Sequence, residues 1–360
     1  MTCSPALPLE RTDELADIAA LLSGRTVLSV ERQPGGGNNR LFRVALADGA
    51  AALKCYDRDG AARLSREFEG LCFLAAAGCG TAPRPMAADP ALGAALYEWI
   101  DGGPVSRDPD GRRLGDLEEV LAFLGTLAGL RHAMGADRLT HAAEACLSAR
   151  ELVEQVTRRL DALAALPGEP DLHRLLRRGL RPALDRAAAR LAGLYAGAGL
   201  DPDAEIAPGA RTLSPSDFGF HNALRRADGT LLFLDFEYFG WDDPAKLASD
   251  FLWHPAFALS EPEQAAWLEG MDTLFGTDPG FAVRLNAQLP LYGLRWCAIL
   301  LNEFLPARWQ RRVFAGTAGD WPAAKARQLA RAELWLGECL RLLDPASGPV
   351  AGFLPLLPKR

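Results

Sequence analysis

The chain has 360 residues, 49% of them hydrophobic, and a formal net charge of −7. Such a share over this length buries one large core or the cores of two lobes, and the acidic balance excludes a nucleic-acid footprint. Seven cysteines, at 3, 55, 72, 79, 146, 297 and 339, show no C-x-x-C and no zinc-type spacing, which predicts reduced thiols and a cytoplasmic protein.

The opening stretch, MTCSPALPLERTDELAD, lacks the basic and apolar regions of a signal peptide. No apolar run is long enough to span a bilayer. Residues 1–24 read as an N-terminal segment and 25–101 as a first lobe. Thr26 to Val30 is a β-branched run, Leu41 to Leu46 a second strand and Ala51 to Tyr56 a third, with Asp48-Gly49 as a turn. The intervening QPGGGNN bend suits a flap whose amides approach phosphate, because Gly35, Gly36 and Gly37 carry no obstructing side chain. A plain flexible turn has the same composition, and the spacing departs from G-x-G-x-x-G.

Alternation puts Ala52, Lys54 and Tyr56 on one face of the third strand. The next helix, predicted over 61–77, aligns Leu64, Glu67, Leu71 and Leu74 on one stripe. A carboxylate inside an apolar stripe needs a partner, and Lys54 is the residue that fits. A strand lysine paired with a helix glutamate is how kinase-type sites hold the α- and β-phosphates of ATP. Gly78-Cys79-Gly80 and Pro83 to Pro85 end this helix. Ala95 to Ile100 reads as a last strand, and Asp101-Gly102-Gly103-Pro104 as a hinge into a helical second lobe, 102–345, with a tail at 346–360.

In that lobe Asp116-Leu-Glu-Glu119 has the form of a capping box, and Glu144 to Leu166 and Asp171 to Tyr195 read as a helical pair. The chemistry concentrates in 213–250. Asp217 is followed five positions later by Asn222, then by a hairpin turned at Asp228-Gly229, then by Asp235. The hairpin brings Asn222 and Asp235 together as oxygen ligands for Mg²⁺. Phosphoryl transfer also needs an Asp that orients the acceptor hydroxyl and takes its proton, which is the role expected of Asp217. Asp242 or Asp243 is expected to cap a helix begun by Pro244. Three further helices are expected near Glu263–Leu274, Ala282–Phe304 and Trp321–Leu343. Glu237, Asp242, Asp243 and Glu303 suit a cationic acceptor, and a neutral sugar is equally compatible. His132, His141, His173 and His254 have no matched partner, and His221 has a place beside Asn222 but no role.

The pattern D-x-x-x-x-N, hairpin, D-F-E and then G-W-D-D-P resembles the aminoglycoside phosphotransferase and choline kinase family. The resemblance implies an α+β, protein-kinase-like fold of two lobes: a small antiparallel sheet with one helix, then a larger, mainly helical lobe. It implies ATP and Mg²⁺ as cofactors and a small-molecule hydroxyl as acceptor, with no nucleic-acid or membrane partner. It makes Asp217 catalytic, Asn222 and Asp235 metal ligands, and Lys54, Glu67, Gly36, Gly37 and Asn39 nucleotide-binding, with adenine near Glu98 to Ile100. One departure stands out: Pro215 lies where the family has a histidine, two residues before Asp217. That departure and the unusual glycine bend motivate the alternative of a nucleotide-binding pseudokinase or scaffold without turnover.

Overall fold

The computed structural model describes residues 12–34, 38–57, 59–105 and 113–344. Gly35, Gly36 and Gly37, and the tail at 346–360, lie outside these described residues.

The first lobe runs α1 (Thr12–Ser23), β1 (Val27–Gln33), β2 (Arg40–Leu46), β3 (Gly49–Cys55), α2 (Ala61–Ala76), β4 (Pro85–Asp89) and β5 (Ala94–Glu98). The strands form one antiparallel sheet in the order β1-β2-β3-β5-β4. Strand alternation decides which helix covers which face. Phe42, Val44 and Leu46, with Ala51, Leu53 and Cys55, bury one face under Leu15 and Ala19 of α1. Tyr56, Ala95 and Tyr97 turn the other face to Leu64, Leu71 and Leu74 of α2, and this core runs on into the second lobe. The sheet lobe expected to carry one helix therefore carries two. Both α1 and β4 escaped the sequence reading, since each is short and fills only part of a face.

The second lobe continues with β6 (Gly103–Pro104), α3 (Arg113–Gly129), α4 (Ala149–Ala164), α5 (Pro170–Leu175), α6 (Arg181–Ala198), β7 (Thr212–Ser214), β8 (Ala223–Arg225), β9 (Leu231–Phe233) and β10 (Gly240–Asp242). It closes with α7 (Pro244–Trp253), α8 (Glu261–Phe275), α9 (Phe281–Leu300), α10 (Pro306–Ala315) and α11 (Trp321–Leu342). The helix expected over 171–195 is interrupted by a wider turn at Leu176–Leu180, just before Pro182, which has no N–H to donate. The expected capping box lies inside α3 instead: Asp116 accepts from Arg225 at 2.5 Å and Glu119 from the Leu231 N–H at 2.7 Å. Both carboxylates thus anchor the β8–β9 hairpin. Asp243 does cap α7, accepting from the Ala245 N–H at 2.8 Å.

Helix α9 is the axis of this lobe. Leu289, Leu291, Tyr292 and Leu294 are fully buried, and α4, α6, α7 and α11 pack around them. Helix α10 leaves that bundle and touches the first lobe. Arg32 donates to the Ala315 carbonyl at 2.6 Å and Arg40 to the Phe314 carbonyl at 2.7 Å. These are the orphan carbonyls of a helix C-terminus, where cations are favoured. Arg311 of α10 also reaches Asp57 at 3.3 Å. Among the described residues no helix is long and apolar enough to cross a membrane.

Candidate active site

Lys54 extends from the middle of β3, and its Nζ lies 2.6 Å from Glu67 Oε2 and 2.6 Å from Asp235 Oδ1. The pair expected from the apolar stripe is present, and Glu67 is only 4% exposed. Tyr56 donates to the same Glu67 oxygen at 2.6 Å. Burial lowers the Lys54 pKa, but Asp235 and Glu67 outweigh it and raise the value well above normal. The lysine therefore stays a cation in a nearly dry site.

Glu237, two residues past Asp235, is 1% exposed and holds the first lobe. It accepts from Asn39 at 2.6 Å, from Asn38 at 3.0 Å and from Arg63 at 3.1 Å. Arg63 also bridges to Asp57 at 2.5 Å. Both polar ends of Asn39 are engaged, since its carbonyl accepts from Arg63 at 3.2 Å. Asn39 thus ties the first lobe to Glu237 and Arg63. Burial raises the Glu237 pKa, but Lys54, Arg63 and the amide donors outweigh it and hold the value low.

Asp217 leaves a strained turn. Ser216 before it has φ of 66° and Asp235 has φ of 65°, both in the left-handed region that non-glycine residues rarely adopt. Ser216 is pinned by the buried Lys246, whose Nζ donates to its hydroxyl at 3.0 Å. Gly219 allows the loop to close on the Phe257 ring, which any Cβ at that position would strike. Asn222 donates its amide N–H to the Asp217 backbone carbonyl at 2.9 Å, and its backbone carbonyl accepts from the Leu234 N–H at 2.8 Å. The hairpin thereby sets Asn222 beside Asp235, as the sequence order requires.

Two histidines reach the Asp217 carboxylate. His254 Nε2 is 3.1 Å and His221 Nε2 3.2 Å from Oδ1, and the two rings stack at 3.9 Å. Burial raises the Asp217 pKa, yet the hydrogen bonds from His221 and His254 overcome it and hold the group well below the carboxylate range. His254 lies 37 residues from Asp217 in sequence, and no spacing rule joins them. Arg63, by contrast, sits one helical turn before Glu67, a spacing that was visible.

The donors suit magnesium. Oxygens of Glu67, Asp235 and Glu237 all lie within 4.8 Å of one another. Asn222 spends its N–H on a backbone carbonyl, so its amide oxygen is the atom left for a ligand. A carboxylate and an amide oxygen are hard donors of the kind Mg²⁺ takes. Among the described residues these three carboxylates face Lys54 and Arg63, and the surplus negative charge is felt at Asp235. Burial, then Glu237 and Glu67, push its pKa up to about 7 against the pull of Lys54. A third of the Asp235 side chain still faces the cleft.

A sheet lobe carrying an ion-paired lysine, joined to a helical lobe carrying an Asp-Asn-Asp loop, defines a phosphotransferase of protein-kinase-like architecture. The chain belongs to the phosphotransferase enzyme family, whose profile matches residues 29–285. No curated protein sequence matches it significantly. Among solved structures it resembles the choline kinase of Streptococcus pneumoniae, at 16% identity and TM-score 0.53, covering 89% of this chain and 96% of that one. It also resembles a putative aminoglycoside phosphotransferase of Ralstonia eutropha, at 15% identity and TM-score 0.58, covering 92% and 98%. A third is a spectinomycin phosphotransferase in complex with ADP and spectinomycin, at 11% identity and TM-score 0.54, covering 90% and 99%.

Proposed function

We propose that the protein transfers the γ-phosphoryl group of Mg-ATP to a hydroxyl of a small molecule, with Asp217 as the base. The observation that carries this is the convergence on Lys54: a β3 lysine, an α2 glutamate and the loop Asp235 meet within 2.6 Å contacts. On this reading Lys54, held by Glu67, positions the α- and β-phosphates. Asn222 and Asp235 hold Mg²⁺, which supplies neutralisation of the phosphate charge. Asp217 orients the acceptor hydroxyl and accepts its proton. Glu237, two residues past Asp235, holds Asn38 and Asn39 of the first lobe at 3.0 and 2.6 Å, which ties that lobe to the Asp235 loop. The protein does little covalent work; it positions and neutralises.

The acceptor follows from charge. Each acidic residue that suited a cation already has a basic partner: Glu237 has Arg63 at 3.1 Å, Asp242 has Lys246 at 2.7 Å, Asp243 has Arg284 at 2.8 Å and Glu303 has Arg312 at 3.1 Å. The Arg308 guanidinium of α10 has no ion pair or hydrogen bond among the described residues, and burial, with Arg311 and Arg159 nearby, lowers its pKa. A neutral or acidic hydroxyl compound, such as a sugar or a sugar acid, fits this balance better than a choline-like amine.

The test is Mg²⁺-dependent ADP release from ATP with pooled sugars, sugar acids and amino alcohols. Asp217→Asn is expected to cut turnover by on the order of 10²–10⁴-fold with nucleotide binding kept. Full turnover in that variant refutes the base assignment. Tight Mg-ATP binding without turnover in any pool favours the pseudokinase.

A further inference from the structure

We infer that His254, with His221 stacked on it, is a positioning residue that locks one oxygen of the Asp217 carboxylate and leaves the other for the acceptor hydroxyl. This rests on the reading of Asp217 as the base. Pro215 stands where the resembled family has a histidine, and here His221 and His254, from elsewhere in the chain, reach Asp217.

The tautomer of His254 follows from its surroundings. The Ala256 N–H donates to His254 Nδ1 at 3.2 Å, so that nitrogen carries a lone pair. The proton of the neutral ring is then on Nε2, aimed at Asp217 Oδ1 at 3.1 Å. Burial keeps the ring neutral by lowering its pKa, even though Asp217 pulls the other way. His254 is 7% exposed, and Pro255 after it favours the extended backbone it adopts, with φ −62° and ψ 126°. The ring is boxed by the edge of Trp296 at 4.7 Å and by Phe257 at 5.4 Å. It therefore presents one donor in one direction.

Both imidazole contacts fall on Oδ1, and among the described residues no donor reaches Oδ2. Two donors on one oxygen fix carboxylate rotation, so the free oxygen faces the substrate without a search over rotamers. Two histidines and a carboxylate also have the composition of a metal site, but the geometry opposes it. The rings are 11° from parallel and 3.9 Å apart, so their in-plane lone pairs do not converge. A cation about 2.1 Å from both nitrogens would sit far out of each ring plane. It would also force the His254 proton onto Nδ1, against the Ala256 N–H.

Two measurements test the role. The first is a long-range ¹H–¹⁵N spectrum of the histidine rings, which needs no acceptor. A protonated Nε2 and bare Nδ1 in His254, shifted by Asp217→Ala, are expected. A protonated Nδ1, or no shift, overturns the inference. The second compares Mg-ATP turnover in the same pools for the native chain, Asp217→Asn, His254→Leu, His254→Gln and His221→Phe. His254→Leu should lower kcat on the order of 10–100-fold with KM for ATP and Mg-ADP affinity within about twofold. His254→Gln, with an amide N–H near the place of Nε2, should recover most of it. His221→Phe keeps the stack, loses the donor and should show a smaller loss. A native rate in His254→Leu beside an inactive Asp217→Asn overturns the positioning role alone. Equal loss of nucleotide binding and turnover in both His254 variants makes the residue structural and overturns it too. Turnover insensitive to Asp217→Asn overturns the base reading and the role with it.

Discussion

Two ionic clusters lie on either side of the loop that carries Asp217, and they differ in one respect. In the cleft, Glu67, Asp235 and Glu237 face Lys54 and Arg63; counting Asp57 brings Arg311, and among the described residues one negative charge is still in surplus. Behind the loop, the buried Asp242, Asp243 and Asp250 meet Lys246, Arg284 and Arg295, and the buried charges cancel; Asp278, which also reaches Arg284 at 2.8 Å, is a quarter exposed to water. The balanced cluster is closed: Lys246 is 0% exposed, and Trp296 adds a donor to Asp250 at 2.9 Å. The unbalanced one is open to the cleft, and on the proposed reading a divalent cation completes it. Balance marks a cluster that holds the fold, and imbalance one that waits for a ligand.

The largest effect is expected from breaking the balanced cluster. Lys246→Met leaves Asp242 without its cation in a dry interior, while Asp250 keeps Arg295, and should cost about 3–5 kcal/mol of stability by urea denaturation. It should also lower turnover, because Ser216 and so Asp217 lose their anchor. A loss under about 1 kcal/mol would show that the cluster does not hold the fold. In the open cluster the expectation reverses. Asp235→Asn removes surplus charge, so the metal-free protein should lose less than about 1 kcal/mol or gain stability. Its turnover should fall on the order of 10²–10³-fold, with weakened Mg²⁺ dependence of nucleotide binding. An unchanged metal requirement would remove Asp235 as a ligand.

The smallest effect is a pH dependence. The folded pKa of Asp235, about 7 without metal, exceeds its unfolded value, so the folded state binds more protons between the two. Its contribution to stability is full at acid pH and is lost as pH rises through 7. The metal-free melting temperature should therefore fall by a few degrees from about pH 6 to pH 8, and Asp235→Asn should flatten the trend. Mg²⁺ affinity should rise over the same range, because the metal needs the ionised carboxylate. A melting temperature that climbs through this window in the metal-free protein would contradict the surplus-charge account.

The two clusters were not equally legible. Lys54 and Glu67 showed themselves because strand and helix periods each placed a charge on an apolar face. Asp217, Asn222 and Asp235 showed themselves because a short hairpin sets their separation. The partners of Lys246 were hidden: Asp242 and Asp250 flank it at helical spacing, which reads as ordinary surface pairing until α9 covers them. Helix α10 was missed because its polar face reads as solvated, whereas Arg311 faces the first lobe. The apparent capping box at Asp116 misled because the same residue types also anchor a hairpin from within a helix.

By itself the sequence determined what depends on local period and short loops: the alternating strands of the first lobe, the α2 stripe, the Asp-Asn-Asp order and a cap at Asp242 or Asp243. Those follow from backbone geometry over a few residues. Only the tertiary structure decided which distant groups meet. It set His254 on Asp217, Glu237 on Asn38 and Asn39, and the first-lobe arginines on the end of α10. Such contacts depend on how whole helices and sheets pack, and side-chain spacing along the chain carries no trace of them.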